Sequence, residues 1–296
     1  MAGASRPARS HPSSTRRRPS PVQLFQTTLG AARRDGDELV VLDGTADVLA
    51  WAMSDDISGA PGKERVALSD AVLLAPTVPA QIVIVGLNYR SHVAEIGQPV
   101  PEAMMFFVSD RVEAAAGPET PIVLPAEAPG QVDYEGDVAI VIGREARDVD
   151  PALAWTFIAG VTAANDVSAR DVQMAGLANG DYTTAKTFPS FKPLGPGLIT
   201  GDQARGTLSI TTTVNGEVRQ EADTDELIFA IPEIVATVSQ SVALHPGDVI
   251  LTGSPAGVGF VQAQFLSAGD VVEVTVGALP PLRNEVAAAP ACEQRP

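Results

Sequence analysis

Three histidines, three lysines and a few acids flanked by apolar residues are the groups in this sequence on which chemistry could rest. His11 lies in a basic N-terminal stretch, and His245 precedes the turn formers Pro246-Gly247-Asp248. His92 differs, because it follows an apolar strand pattern and the segment Gly86-Leu87-Asn88-Tyr89, with Glu95 three residues on. In a helical turn the two side chains share a face. A carboxylate beside an imidazole fixes its tautomer and stabilises its charged form, which makes a general base. The same spacing also suits a plain surface pair.

Asp133-Tyr134-Glu135-Gly136-Asp137 leads straight into the apolar residues 138–143. Residues two apart on a strand point to one face, so Glu135 and Asp137 stand side by side. Two close carboxylates repel unless a proton or a cation intervenes, which leaves a cation site or a solvated acidic turn. Asp166, just after the apolar residues 157–163, is either a helix N-cap or a third oxygen donor beside them. Three hard oxygen donors select Mg²⁺, Mn²⁺ or Ca²⁺ over zinc or copper. Lys186 stands in a polar loop with Thr183, Thr184, Thr187 and Pro189, as a site group or a solvated lysine.

The elements that position these residues are mostly short strands. Val/Ile-rich runs bounded by Gly, Pro and Asp predict strands at 81–85, 122–124, 138–142, 197–200, 208–214, 248–252 and 271–276. Helical spacing appears at 151–158, 168–174 and 224–241. The expected fold is a β-rich α+β body. Residues 38–74 read as a small N-terminal module of hairpins with one short helix, and 76–79 as the linker out of it. The expected division is a disordered basic tail over 1–34, that module and linker over 35–79, the catalytic body over 80–286, and a disordered C-terminal tail over 287–296.

Composition excludes several roles. No run approaches the ~20 apolar residues needed to cross a bilayer, and Arg16-Arg17-Arg18 is followed by a poor export signal, so a cytoplasmic location is expected. The single cysteine, Cys292, rules out a disulfide framework or a thiolate metal site. The net charge is −16, and residues 1–34 carry seven arginines and no acid, which leaves −23 for the rest. Nucleic acid is therefore not expected as the ligand, since the body would repel phosphate. Residues 253–259 lack the lysine of a nucleotide loop.

Taken together, Gly86–Tyr89 with His92 and Glu95, residues 132–143, 165–171, Val214-Asn215-Gly216-Glu217 with Arg219-Gln220, and 247–259 resemble the signature segments of the fumarylacetoacetate hydrolase family. The resemblance covers roughly residues 80–286. It implies a mixed β-roll around the site, a homodimer, and one divalent cation, Mg²⁺ or Mn²⁺, on Glu135, Asp137 and Asp166. It makes His92, Glu95 and Lys186 catalytic, and Tyr89, Arg170, Gln173 and Thr252 substrate-binding. The implied activity is metal-dependent hydrolysis of a carbon–carbon bond in an acylpyruvate or related 1,3-dicarbonyl acid, through an enolate. Decarboxylation, isomerisation or hydration through the same enolate is the alternative, and an idle binding protein the rival from another class.

Three departures stand out. Asp137 is one methylene shorter than the usual glutamate, and Pro189 replaces a common acid. The lysine that usually follows Phe106-Phe107 is missing, with Val108, Ser109 and Asp110 in that stretch. That last change predicts a substrate that is larger or lacks a second carboxylate.

Overall fold

The apolar runs at the centre of the sequence offer no polar face to water, and the fold buries them on both sides. In the computed structural model, which describes residues 22–289 apart from 55, 56, 58 and 59, every residue of Gly136–Ile142, Ile158–Asn165 and Lys192–Ile199 is buried. These are adjacent antiparallel strands in a 12-stranded sheet. Alternation divides their side chains between two cores. Val138, Ile140, Ile142 and Val161 pack with Ile234, Val235 and Val238 of the helix Ile231–Ser241. Ala139 and Val141 face the other way, toward Ala159, Leu198 and Val249.

Past Gly136–Ile142 the sheet continues through Val249–Leu251, Ile82–Gly86 and Met105–Ser109, the first two of these paired in parallel. A five-stranded sheet runs Glu217–Asp223, Ser209–Val214, Val271–Val276, Leu282–Ala287, Ile122–Val123. Its Ile210, Val274, Val276 and Leu282 close over the first core. The predicted α+β class is the observed one.

The N-terminal expectation is corrected. Residues 22–34 are not tail: Gln23–Thr27 and Gly30–Asp35 form a hairpin, and Leu24, Phe25, Ala31 and Ala32 are fully buried. The apolar residues there outweigh Arg33 and Arg34, and Arg34 is tied to Gln23 and the Ala278 carbonyl. Gln23–Thr27 also pairs with Lys192–Ile199, so Gly30–Asp35, Glu38–Leu42 and Gly62–Ala67 extend the central sheet instead of forming a sheet of their own. The expectations for residues 1–21 and 290–296, Cys292 included, fall outside the described residues; Leu282–Ala287 ends one residue past the expected boundary.

The helix expected over 224–241 is broken. Thr224–Glu226 is a single 3₁₀ turn and the helix proper is Ile231–Ser241. Between them Leu227 bridges to Tyr89, and the Asn88 side chain both donates to the Phe229 carbonyl and accepts from its amide. Pro232 then opens the helix in its first turn, where its missing N–H costs nothing. Pro151–Thr156 is likewise 3₁₀, and the strand Ile158–Asn165 starts where the expected helix would end. No helix among the described residues is long and apolar enough to cross a membrane.

Candidate active site

Register brings the acids together. Gly136 pairs with Asn165 across the two central strands, which sets Glu135 against Asp166, whose amide donates to the Glu135 carbonyl at 2.7 Å. Asp137 follows one residue inside the strand. Gly136 leaves no room for a side chain between them unless Thr212 shifts, because a Cβ there would lie 1.9 Å from the Thr212 hydroxyl oxygen. The Gly253 amide, at the turn that ends Val249–Leu251, donates to Asp137 Oδ2 at 2.9 Å; its φ of +94° favours glycine.

Buried cations hold the carboxylates. Lys186 Nζ donates to Glu135 Oε2 (2.7 Å), Asp166 Oδ2 (2.5 Å) and Ser168 Oγ (2.8 Å). Arg170 donates to Glu135 Oε1, to Asp133 Oδ2 (2.8 Å) and to Gln173 Oε1 (2.9 Å). Lys192, fully buried, stands 2.9 Å from Asp166 Oδ1 and donates to the Val167 and Phe191 carbonyls. Burial pulls its ammonium down to about 8, against the attraction of Asp166. Burial also pushes the Glu135 carboxyl up, but Arg170 and Lys186 outweigh it and hold the group well below the usual carboxylate range. Among the described residues no cation pairs directly with Asp137. Burial, with the charges of Asp166 and Glu135, pushes its carboxyl well up, against a smaller pull from Lys186, and among the described residues its Oδ1 has no hydrogen-bond partner.

His92 and Glu95 sit on the helix Arg90–Glu95, and His92 Nδ1 lies 3.2 Å from Glu95 Oε2. Glu95 is itself fixed, since its Oε1 accepts the Gly257 amide at 3.0 Å. A hydrogen bond between Nδ1 and a carboxylate assigns the ring proton to Nδ1 and leaves Nε2 free as a base. Asn88 locks this helix to the next turn by donating to the Thr252 carbonyl at 2.8 Å.

His92, Glu135, Asp166, Arg170, Gln173 and Lys186 all line one cavity of about 300 Å³. Six of the residues singled out from the sequence thus converge. Glu95 stands behind His92 and Asp137 behind the carboxylate pair. Tyr89 and Thr252 do not reach the cavity. Tyr89 is fully buried in the first core, where its backbone bridge to Leu227 draws it, and Thr252 is fully buried one residue beyond a central strand. Two buried side chains that contact the cluster escaped the sequence reading. Lys192 is the second buried cation on Asp166. Asp133 joins Arg170 to the amides of Gly259 (2.8 Å) and Phe260 (3.0 Å) at the start of the helix Gly259–Gln262. The setting of Lys192 between Phe191 and Pro193 was its only signal.

The donor set suits a hard divalent cation: three carboxylates within each other's field, one with an oxygen lacking a partner. As the side chains stand, Lys186 lies between Glu135 and Asp166, and among the described residues no group of three His, Cys, Asp or Glu is arranged to hold an ion.

The family model for the C-terminal domain of fumarylacetoacetate (FAA) hydrolase matches residues 81–287. The chain belongs to the fumarylacetoacetate hydrolase family. It is 41% identical over 223 residues to the mitochondrial oxaloacetate tautomerase FAHD2A of Bos taurus, covering 74% of this chain and 70% of that protein. The 2-hydroxyhepta-2,4-diene-1,7-dioate isomerase from Mycobacterium marinum superposes with a TM-score of 0.73 at 33% identity, over 90% of this chain and 98% of that one. The fumarylacetoacetate hydrolase of Exiguobacterium antarcticum gives 0.76 at 30% identity, over 91% and 100%.

Proposed function

We propose that this enzyme is an enolate-forming isomerase of small 2-keto acids, of the keto–enol tautomerase type. The observation that carries the reading is that His92, backed by Glu95, lines the same cavity as the Glu135–Asp166–Lys186 cluster. About 300 Å³ is at the lower end for small-molecule sites, which suits a small acid. Hydrolysis of a carbon–carbon bond, the first expectation, is the second reading, and the hydrolase of E. antarcticum is what favours it. Relatives named as a tautomerase and an isomerase favour the first.

In the proposed reaction His92 Nε2 removes a proton from C3 of the keto acid. The C3–H electron pair becomes the C2=C3 bond, and the C2 carbonyl oxygen takes up the displaced charge. Returning a proton to that oxygen gives the enol, with no net oxidation. Glu95 stabilises the imidazolium that forms between the two transfers. Glu135, Asp137 and Asp166 are the residues that would hold Mg²⁺ or Mn²⁺, and such an ion supplies positive charge that lowers the cost of an enolate. Lys186 brings an ammonium to the same carboxylates.

The test is an ultraviolet assay of enol absorbance on 2-keto acids, run beside acylpyruvate hydrolysis, with Mg²⁺ and Mn²⁺. Tautomerisation should exceed acylpyruvate cleavage, and His92→Ala should lower it by ~10²–10⁴-fold. Faster cleavage than tautomerisation would favour the hydrolase.

A further inference from the structure

Each of the three clustered carboxylates has one oxygen on a donor that the fold fixes. Glu135 Oε1 accepts from Arg170, which Asp133 holds from its other side. Asp137 Oδ2 accepts the Gly253 amide at 2.9 Å. Asp166 Oδ1 stands 2.9 Å from Lys192 Nζ, as an ion pair rather than an aligned hydrogen bond. The other three oxygens are differently placed. Glu135 Oε2 and Asp166 Oδ2 converge on the Lys186 ammonium, at 2.7 and 2.5 Å, and Asp137 Oδ1 has no hydrogen-bond partner among the described residues.

The two lysines on Asp166 differ in what an arriving ion can do to them. Lys186 lines the cavity, so its side chain has space to withdraw into when a cation takes Glu135 Oε2 and Asp166 Oδ2. Lys192 does not line it. It opens the strand Lys192–Ile199, is 1% exposed, and donates to the backbone carbonyls of Val167 (3.1 Å) and Phe191 (2.9 Å). Those carbonyls belong to segments tied together by the Val167 amide, which donates to the same Phe191 carbonyl at 3.1 Å. Moving Lys192 would strip a buried amine of its partners, which is costly.

Taking up the cation of the enolate reading, we propose that Lys192 determines which ion the site accepts, by confining Asp166 to one oxygen and so favouring Mg²⁺ over Ca²⁺. Mg²⁺ demands near-ideal octahedral geometry, and single oxygens from three carboxylates leave positions for water and a keto acid. Ca²⁺ takes about six to eight oxygens and gains from carboxylates that bind through both. With Asp166 Oδ1 facing a fixed lysine, that second oxygen is closed to it.

The test is calorimetric titration of the metal-stripped full chain with Mg²⁺ and with Ca²⁺, for the wild type and for Lys192→Met, which keeps most of the side-chain volume. The wild type should bind Mg²⁺ at least as tightly as Ca²⁺. Lys192→Met should shift the ratio of the two affinities toward Ca²⁺ by about ten- to a hundredfold, the range over which groups behind metal ligands act. A merely structural lysine would weaken both ions alike, so an unchanged ratio overturns the inference. Should the variant fail to fold, the wild type decides: tighter binding of Ca²⁺ than of Mg²⁺, or binding of neither, overturns the inference on its own. None of these readouts uses turnover. A shifted ratio without enol formation therefore upholds the role of Lys192 and sinks only the proton transfer.

Discussion

Replacing Lys186 with methionine keeps most of the side-chain volume and removes only the ammonium, so packing losses stay small. The change leaves Glu135 Oε2 and Asp166 Oδ2 without the donor that holds them at 2.7 and 2.5 Å. Arg170 still reaches Glu135 and Lys192 still reaches Asp166, so neither acid is stranded entirely. Removing one partner of a buried ion pair costs about 3–5 kcal/mol. For a chain of this size each kcal/mol is worth roughly 2–4 °C, so Lys186→Met should melt about 6–20 °C below wild type in EDTA. A divalent cation competes with the ammonium for the same oxygens. Mg²⁺ should therefore raise the melting temperature of the variant by more than that of the wild type, because binding stabilises by mass action and the competitor is gone. The assay is thermal unfolding of both proteins over a Mg²⁺ series. A variant within about 2 °C of wild type in EDTA, or one indifferent to Mg²⁺, would refute the claim that these carboxylates form a cation site held by Lys186.

Gly136→Ala places a methyl against the Thr212 hydroxyl and should destabilise by about 1–3 kcal/mol or more, with Thr212→Ala recovering part of the loss in denaturant titrations. Asp181, held down at about 2 by the Thr184 side chain and the Thr184 and Thr183 amides, braces the turn that leads to Lys186. A depressed carboxyl gives stability that is present above its unfolded value and lost as pH falls through the folded one, so this brace should weaken only toward pH 2. Asp181→Ala should speed hydrogen exchange at the Thr183 and Thr184 amides at neutral pH, and unchanged exchange would show that the brace is idle.

Much of this site is legible in the sequence because it rests on local spacing. His92 and Glu95 share one turn of helix, and Glu135 and Asp137 flank a strand entry. Their meeting with Asp166 and Lys186 depends on strand register and loop closure, which no local pattern states. Strand runs such as Val271–Val276 coincide with the observed element because β-branched alternation is a local signal. The hairpin at 22–34 is masked in the sequence by Arg33 and Arg34, which continue the basic composition of the preceding stretch, although Leu24, Phe25, Ala31 and Ala32 are buried. Lys192 was hidden for the opposite reason: a lysine is ordinarily solvated, and only the tertiary position of Asp166 makes its burial tolerable. Tyr89 reads as a site residue from its place in the motif; its ring is buried in the core, and only the tertiary fold shows that its hydroxyl stands near Thr252 and the charge of Asp137.

The central claim is that His92 moves a proton at C3 of a 2-keto acid. Proton NMR of phenylpyruvate in D₂O with Mg²⁺ measures that step alone, by loss of the C3 proton signal. The wild type should wash out the signal far faster than buffer with Mg²⁺, and His92→Ala should be slower by ~10²–10⁴-fold. Exchange no faster than buffer, or a His92→Ala variant that exchanges like wild type, would contradict it.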